Sequence, residues 1–156
     1  MRWMAIAPAA LVCLFLLAGT GWALLPNFSK EELIQQSEGI VLGTVLETTS
    51  SWAADHTRIF TYVKLEIHDQ FKGQPVGEEL VLQVPGGRVG EITQAVSDAP
   101  HFEAGMRVLV HLYTQDTGYP GVYGWEKGVL AVQGEAIPDY SMTVEQFRRL
   151  VEKTSK

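Results

Sequence analysis

Cysteine is nearly absent from this chain. The single one, Cys13, lies in an apolar N-terminal stretch, so the body of the protein has no disulfide, no thiolate metal ligand and no cysteine nucleophile. Secreted modules of this size often rely on disulfides, whereas this one must be held by its core alone. That suits a bacterial envelope or exported protein. Basic charge is scarce as well: 12 Lys and Arg stand against 18 Asp and Glu, a net charge of −6. Such a surface repels phosphate backbones and argues against nucleic acid as a partner. There is no G-x-S-x-G element, no P-loop and no dinucleotide fingerprint, and the carboxylates Glu66, Asp69, Glu78, Glu79 and Glu91 are scattered. The chain therefore reads as a non-enzyme without a cofactor.

Long apolar runs are confined to the start. In MRWMAIAPAALVCLFLLAGTGWA the only charge is Arg2, an apolar run extends from Met4 to about Ala18, and Gly21 and Ala23 stand at the spacing a signal peptidase reads. The expectation is a signal peptide over residues 1–23 and a single domain over 24–156, periplasmic or secreted, with no stable membrane span after cleavage. A retained membrane anchor is the competing reading; against it, the run is short and ends in Gly-Thr-Gly.

What is present is mostly alternation. SKEELIQQSEG reads as a short helix with Ser29 and Glu32 as a reciprocal capping pair and Gly39 as its stop. From Ile40 the period becomes two. Val41, Gly43 and Val45 alternate with Leu42, Thr44 and Leu46, so both faces are partly apolar and the strand is central or curled. RIFTYVKLEIHDQFKG is a long half-buried strand, EELVLQV a third ended by Pro85, and Arg107 to Tyr113 a further clear strand. RVGEITQAV reads as a short strand or an irregular excursion, and VYGWEK and VLAVQG as two strands joined by a hairpin. Thr143 and Gln146 cap a C-terminal helix. The expected fold is mainly β: a small OB-like antiparallel barrel, closed or half-closed, of roughly five or six strands with short N- and C-terminal helices.

Four segments, GIVLGTVLETTSSW, RIFTYVKLEIHDQFKG, VGEELVLQVPGGRVG and APHFEAGMRVLVHLY, resemble in their order and spacing a family of small exported bacterial domains. The shared pattern is a G-x-V strand, a YT-x-V strand ending in KG, a V-x-V-x-GG-x-x-G element and a P-x-F-x-x-G-x-x-V-L-V element. Here Tyr62 follows Thr61, as TY, a departure from the family order. The resemblance covers roughly residues 39 to 113 and its motifs are structural. It implies no established activity, although some members lie near matrixin-type zinc proteases. More weakly, the KG after a long strand is similar to the netrin-like module of tissue metalloproteinase inhibitors, which implies an OB barrel. Their zinc-directed N-terminal cysteine has no counterpart in the body of this chain.

Two groups of candidate binding residues emerge. Gly86 and Gly87, with Arg88 beside them, have the composition of an anion-binding nest, and equally of a sharp corner after Pro85. Trp52, Tyr119, Tyr123 and Trp125 fall in or next to loops, where large amphipathic rings anchor a partner or plug a barrel end. Among the four histidines, His68 and His111 are the pair on strands, and they carry the alternative reading, a metal-dependent hydrolase or metal-binding protein. The leading expectation is an exported, non-catalytic binding or accessory module. It would recognise a protein or peptide, such as an envelope or secreted protease, through loops at a barrel mouth.

Overall fold

The computed structural model describes residues 28–155; the expected signal peptide over 1–23 lies outside them. Among the described residues no helix is long and apolar enough to cross a membrane. The chain runs α1 (Lys30–Gln36), β1 (Gly39–Trp52), β2 (Ile59–Lys72), β3 (Glu79–Pro85), β4 (Gly87–Val89), β5 (Ile92–Gln94), β6 (Arg107–Tyr113), β7 (Gly121–Val122), β8 (Val129–Ala131), β9 (Ala136–Ile137), β10 (Met142–Thr143) and α2 (Val144–Thr154). Six of the strands make one antiparallel sheet in the order β3-β2-β1-β6-β7, with β8 also on β6. β4 with β5, and β9 with β10, form small separate hairpins.

The two-faced pattern of the first strand places it in the middle. Val41 and Val45 enter one apolar cluster with Val63, Leu65, Leu82, Val108 and Val110, while Ile40 and Leu42 enter a second with Leu109, Val144, Phe147 and Val151. β1 is thus covered on both sides: the sheet curls over the first cluster, and α2 lies on the second. Each such Val or Leu contributes about 1.5–3 kcal/mol by leaving water. Phe102 closes the first cluster from the loop before β6.

Both helices carry the expected caps. Ser29 Oγ accepts from the Glu32 amide and Thr143 Oγ1 from the Gln146 amide, each answered by the reciprocal bond. The stop of α1 differs from the expectation, because Gly39 already begins β1. The helix ends at an extended Ser37, and its last carbonyls are held by side chains instead: Ser37 Oγ donates to Ile34 O, and Lys72 Nζ donates to Ile34 O at 2.7 Å and Gln35 O at 3.0 Å. The lysine of the KG pair therefore serves as a helix terminus, where a cation is stabilising.

Among the described residues no ladder of strands runs from β3 round to β7, and the sheet is not a closed barrel. Gln83 N–H of β3 donates at 2.9 Å to the carbonyl of Pro120, the residue before β7. The reading of VYGWEK and VLAVQG as partners is also corrected. β7 and β8 both pair with β6 and not with each other, because β6 offers one long apolar edge that each extends. Between them the chain makes a tight excursion with a 3-10 turn at Trp125–Gly128.

Candidate functional site

That excursion builds the most distinctive surface of the molecule. Val122 and Val129 are held by β6, and the Tyr123 amide donates to His111 O at 2.8 Å, so the intervening residues must leave and return along the same strand. Gly124 takes φ 82 and packs so tightly on α1 that a β-carbon there would collide with Leu33 Cδ2. Trp125 follows in the left-handed region at φ 56, a conformation costly for a bulky side chain. The turn is fixed from the other side by the Glu126 amide, which donates to Asp98 O at 3.0 Å. Trp125 consequently stands out from the surface with 49% of its area exposed.

Beside it lies a cleft of about 410 Å³ lined by Phe28, Phe60, Pro85, Pro100, Tyr113, Val122, Tyr123, Gly124 and Trp125, with Gln83, Val84 and Gln115. Phe28 and Tyr123 pack at 5.6 Å between ring centroids. Gln83 is buried: its Nε2 donates to Tyr62 Oη at 3.0 Å, and its Oε1 has no partner among the described residues. Gln115 Nε2 donates to Gln83 O at 3.1 Å and Tyr119 O at 3.3 Å, tying the loop before β7 to β3. Tyr119 meets Tyr62 edge-on at 5.1 Å. Across Trp125, a second hollow of about 290 Å³ is lined by Phe28, Ser97, Asp98, Gly124, Trp125, Glu126 and Lys127.

Of the residues singled out in the sequence, Tyr123 and Trp125 line the cleft directly, and Tyr119 buttresses its polar wall through Tyr62. Trp52 belongs elsewhere, at the end of β1 against His56 with ring centroids 6.4 Å apart. Gly86 and Gly87 turn the chain from β3 into β4. Gly86 N–H donates to Ile59 O and Gly86 O accepts from Thr61 Oγ1, both at 2.8 Å, so this backbone is already engaged. Arg88 Nε donates to Gly90 O at 3.0 Å within its own hairpin. The polar hollow beside the glycines, about 320 Å³, shares Val84, Pro85 and Pro100 with the aromatic cleft.

The histidines occupy unlike surroundings. His68 is exposed, with Nε2 2.8 Å from Thr44 Oγ1. His111 is fully buried, with Nδ1 3.1 Å from Gly128 O and Nε2 without a partner among the described residues. Burial holds its pKa down at about 4, assisted by the nearby Lys72 charge and opposed by the Gly128 carbonyl. Tyr140 is pushed up to about 12 by burial and by Asp139 and Glu31. Both groups touch Phe147 under α2 and are absent from the aromatic cleft. Among the described residues no cluster of three or more His, Cys, Asp or Glu is placed to hold a metal ion.

Sequence reasoning missed Phe28, Phe60, Pro85, Pro100 and Tyr113. Phe60 and Tyr62 shared a face of their strand, and Tyr113 ended another. Alternation alone does not say which of those faces meet at a cleft. No protein-family model, curated protein or solved structure matches the chain.

Proposed function

We propose that this domain is an exported, non-catalytic binding or accessory module that holds a protein or peptide partner in the cleft beside Trp125. One observation carries the reading: a tryptophan 49% exposed is held at φ 56 over a cleft of about 410 Å³ walled by aromatic and prolyl side chains. A strained backbone beneath an exposed tryptophan supports a binding role, since such strain clusters at ligand clamps and large exposed rings anchor partners. The architecture serving this role is a half-closed, OB-like barrel. Its support is the Gln83–Pro120 bond between β3 and the entry to β7, and the single apolar cluster shared by β1, β2, β3, β6 and β7. The resemblance of the β1 to β6 segments to small exported bacterial domains supports a partner in the envelope or outside the cell, such as a secreted protease.

The test is affinity capture from envelope extract with wild type, Tyr119→Ala and Trp125→Ala, followed by reconstitution with the purified partner. Loss of a Trp125-scale anchor is expected to weaken the complex by on the order of tenfold or more. Capture that is identical for all the proteins overturns the assignment of the cleft.

A further inference from the structure

The cleft also says what kind of segment fits it, an inference that rests on the binding reading above. Strand addition is blocked here. The outward-facing backbone of Gln83 is already used, its N–H by Pro120 O and its carbonyl by Gln115 Nε2. A helix keeps its backbone carbonyls in internal hydrogen bonds and has none to offer a cleft walled by tyrosine and tryptophan. What remains is a thin, extended chain recognised by side chains. The walls are flat rings (Phe28, Phe60, Tyr113, Tyr123, Trp125) together with Pro85 and Pro100, and such surfaces pack against the compact pyrrolidine ring. They also carry donors. Among the described residues no hydrogen bond engages the Trp125 indole N–H or the hydroxyls of Tyr113 and Tyr123. A polyproline II chain has no internal hydrogen bonds, so its carbonyls are free to accept from such donors, and its preset shape lowers the ordering cost.

Charge selects what accompanies the prolines. The cleft shares Phe28, Gly124 and Trp125 with the neighbouring hollow, whose lining includes Asp98, Glu126 and Lys127. Two carboxylates against one ammonium, in a chain with a net charge of −6, favour a cationic neighbour. We propose that the groove around Trp125 takes a proline-rich segment of a partner protein in the polyproline II conformation, with an arginine or lysine beside the prolines meeting Asp98 and Glu126.

The test titrates the full chain by calorimetry with a hexaproline peptide ending in an Arg-Arg pair, the same peptide ending in Glu-Glu, and an Arg-Arg peptide with glycine for every proline. Saturable binding of the first is expected, with each of the others weaker by about tenfold or more. Trp125→Ala is expected to weaken it about tenfold, and Asp98→Asn with Glu126→Gln to erase the preference for Arg over Glu. Tyr123→Phe, which keeps the ring, is expected to weaken it about threefold and serves if Trp125→Ala does not fold. Equal binding of the glycine peptide, or no binding of the proline peptide, overturns the inference. So does a nuclear Overhauser contact between Pro26 and the Trp125 indole, which marks the groove as filled by the chain's own segment, or a Trp125-dependent dimer in sedimentation. If Trp125-dependent capture of an envelope partner persists while the proline peptides fail, only this inference falls. If both fail, the binding reading falls with it.

Discussion

Acidification is expected to destabilise this domain through one residue, His111. Its Nδ1 lies 3.1 Å from Gly128 O and therefore carries the proton, leaving Nε2 a buried acceptor with no partner among the described residues. Adding a proton there puts a charge beneath Phe147, in a place that water does not reach. The folded pKa is held at about 4, against 6.5 for an ordinary histidine. Because the folded state releases this proton first, the unfolded chain binds more protons through that window, and stability rises with pH. Going the other way, stability begins to fall as pH drops below 6.5 and the loss is complete below about 4. Its full size is about 3 kcal/mol, with about 2 kcal/mol already gone at pH 5. Against a typical total of about 5–15 kcal/mol, that is a large share. The assay is urea unfolding of wild type and His111→Asn, which keeps a donor near Gly128 O, at steps from pH 7.5 to pH 5. Staying above pH 5 avoids Glu32 and Asp55, whose pKa values are lowered mainly by hydrogen bonds from Ser29 and Thr57 and whose contribution is lost at lower pH. The variant is expected to be less stable at pH 7.5 but flatter with pH, and His111→Leu to behave alike. Parallel decline of all the proteins refutes the reasoning.

Other expectations follow from single contacts. At Trp125, with φ 56, glycine is expected to be more stable than alanine by about 1 kcal/mol, reversing the usual order, as chemical denaturation of the two variants checks. Phe147→Ala is expected to cost about 3–5 kcal/mol, because the ring is 0% exposed and touches Phe71, His111 and Tyr140; a thermal melt shifted by only a degree or so contradicts it. Gly87→Ala is expected to destabilise by about 2 kcal/mol or more, since φ 135 is unfavourable and the added carbon meets Ser50 Oγ and Thr61 Oγ1. Normal stability of that variant in urea would show that β4 can move aside.

Strand existence was legible wherever alternation was long. β1, β2, β3 and β6 lie where period-two patterns place them, and the two capping boxes are local chemistry that a sequence displays in full. The helix stop was not legible, because the groups that finish α1 come from Lys72, far along the chain. The same limit applies to the cleft. TGYPGVYGW pointed to aromatic contact, and Tyr123 and Trp125 are in the site, but Trp52 looked equivalent in sequence and sits against His56 instead.

By itself the sequence determined a mainly β domain with capped terminal helices, a doubly buried first strand and no covalent cross-link in its body, since each of these depends on neighbours a few residues apart. Tertiary structure decided that β7 and β8 share one partner strand, that the sheet does not complete a ladder, and that four distant segments bring their aromatic rings to one groove. Those outcomes depend on which apolar faces find each other across the whole chain, and a pattern of alternation carries no label for its partner.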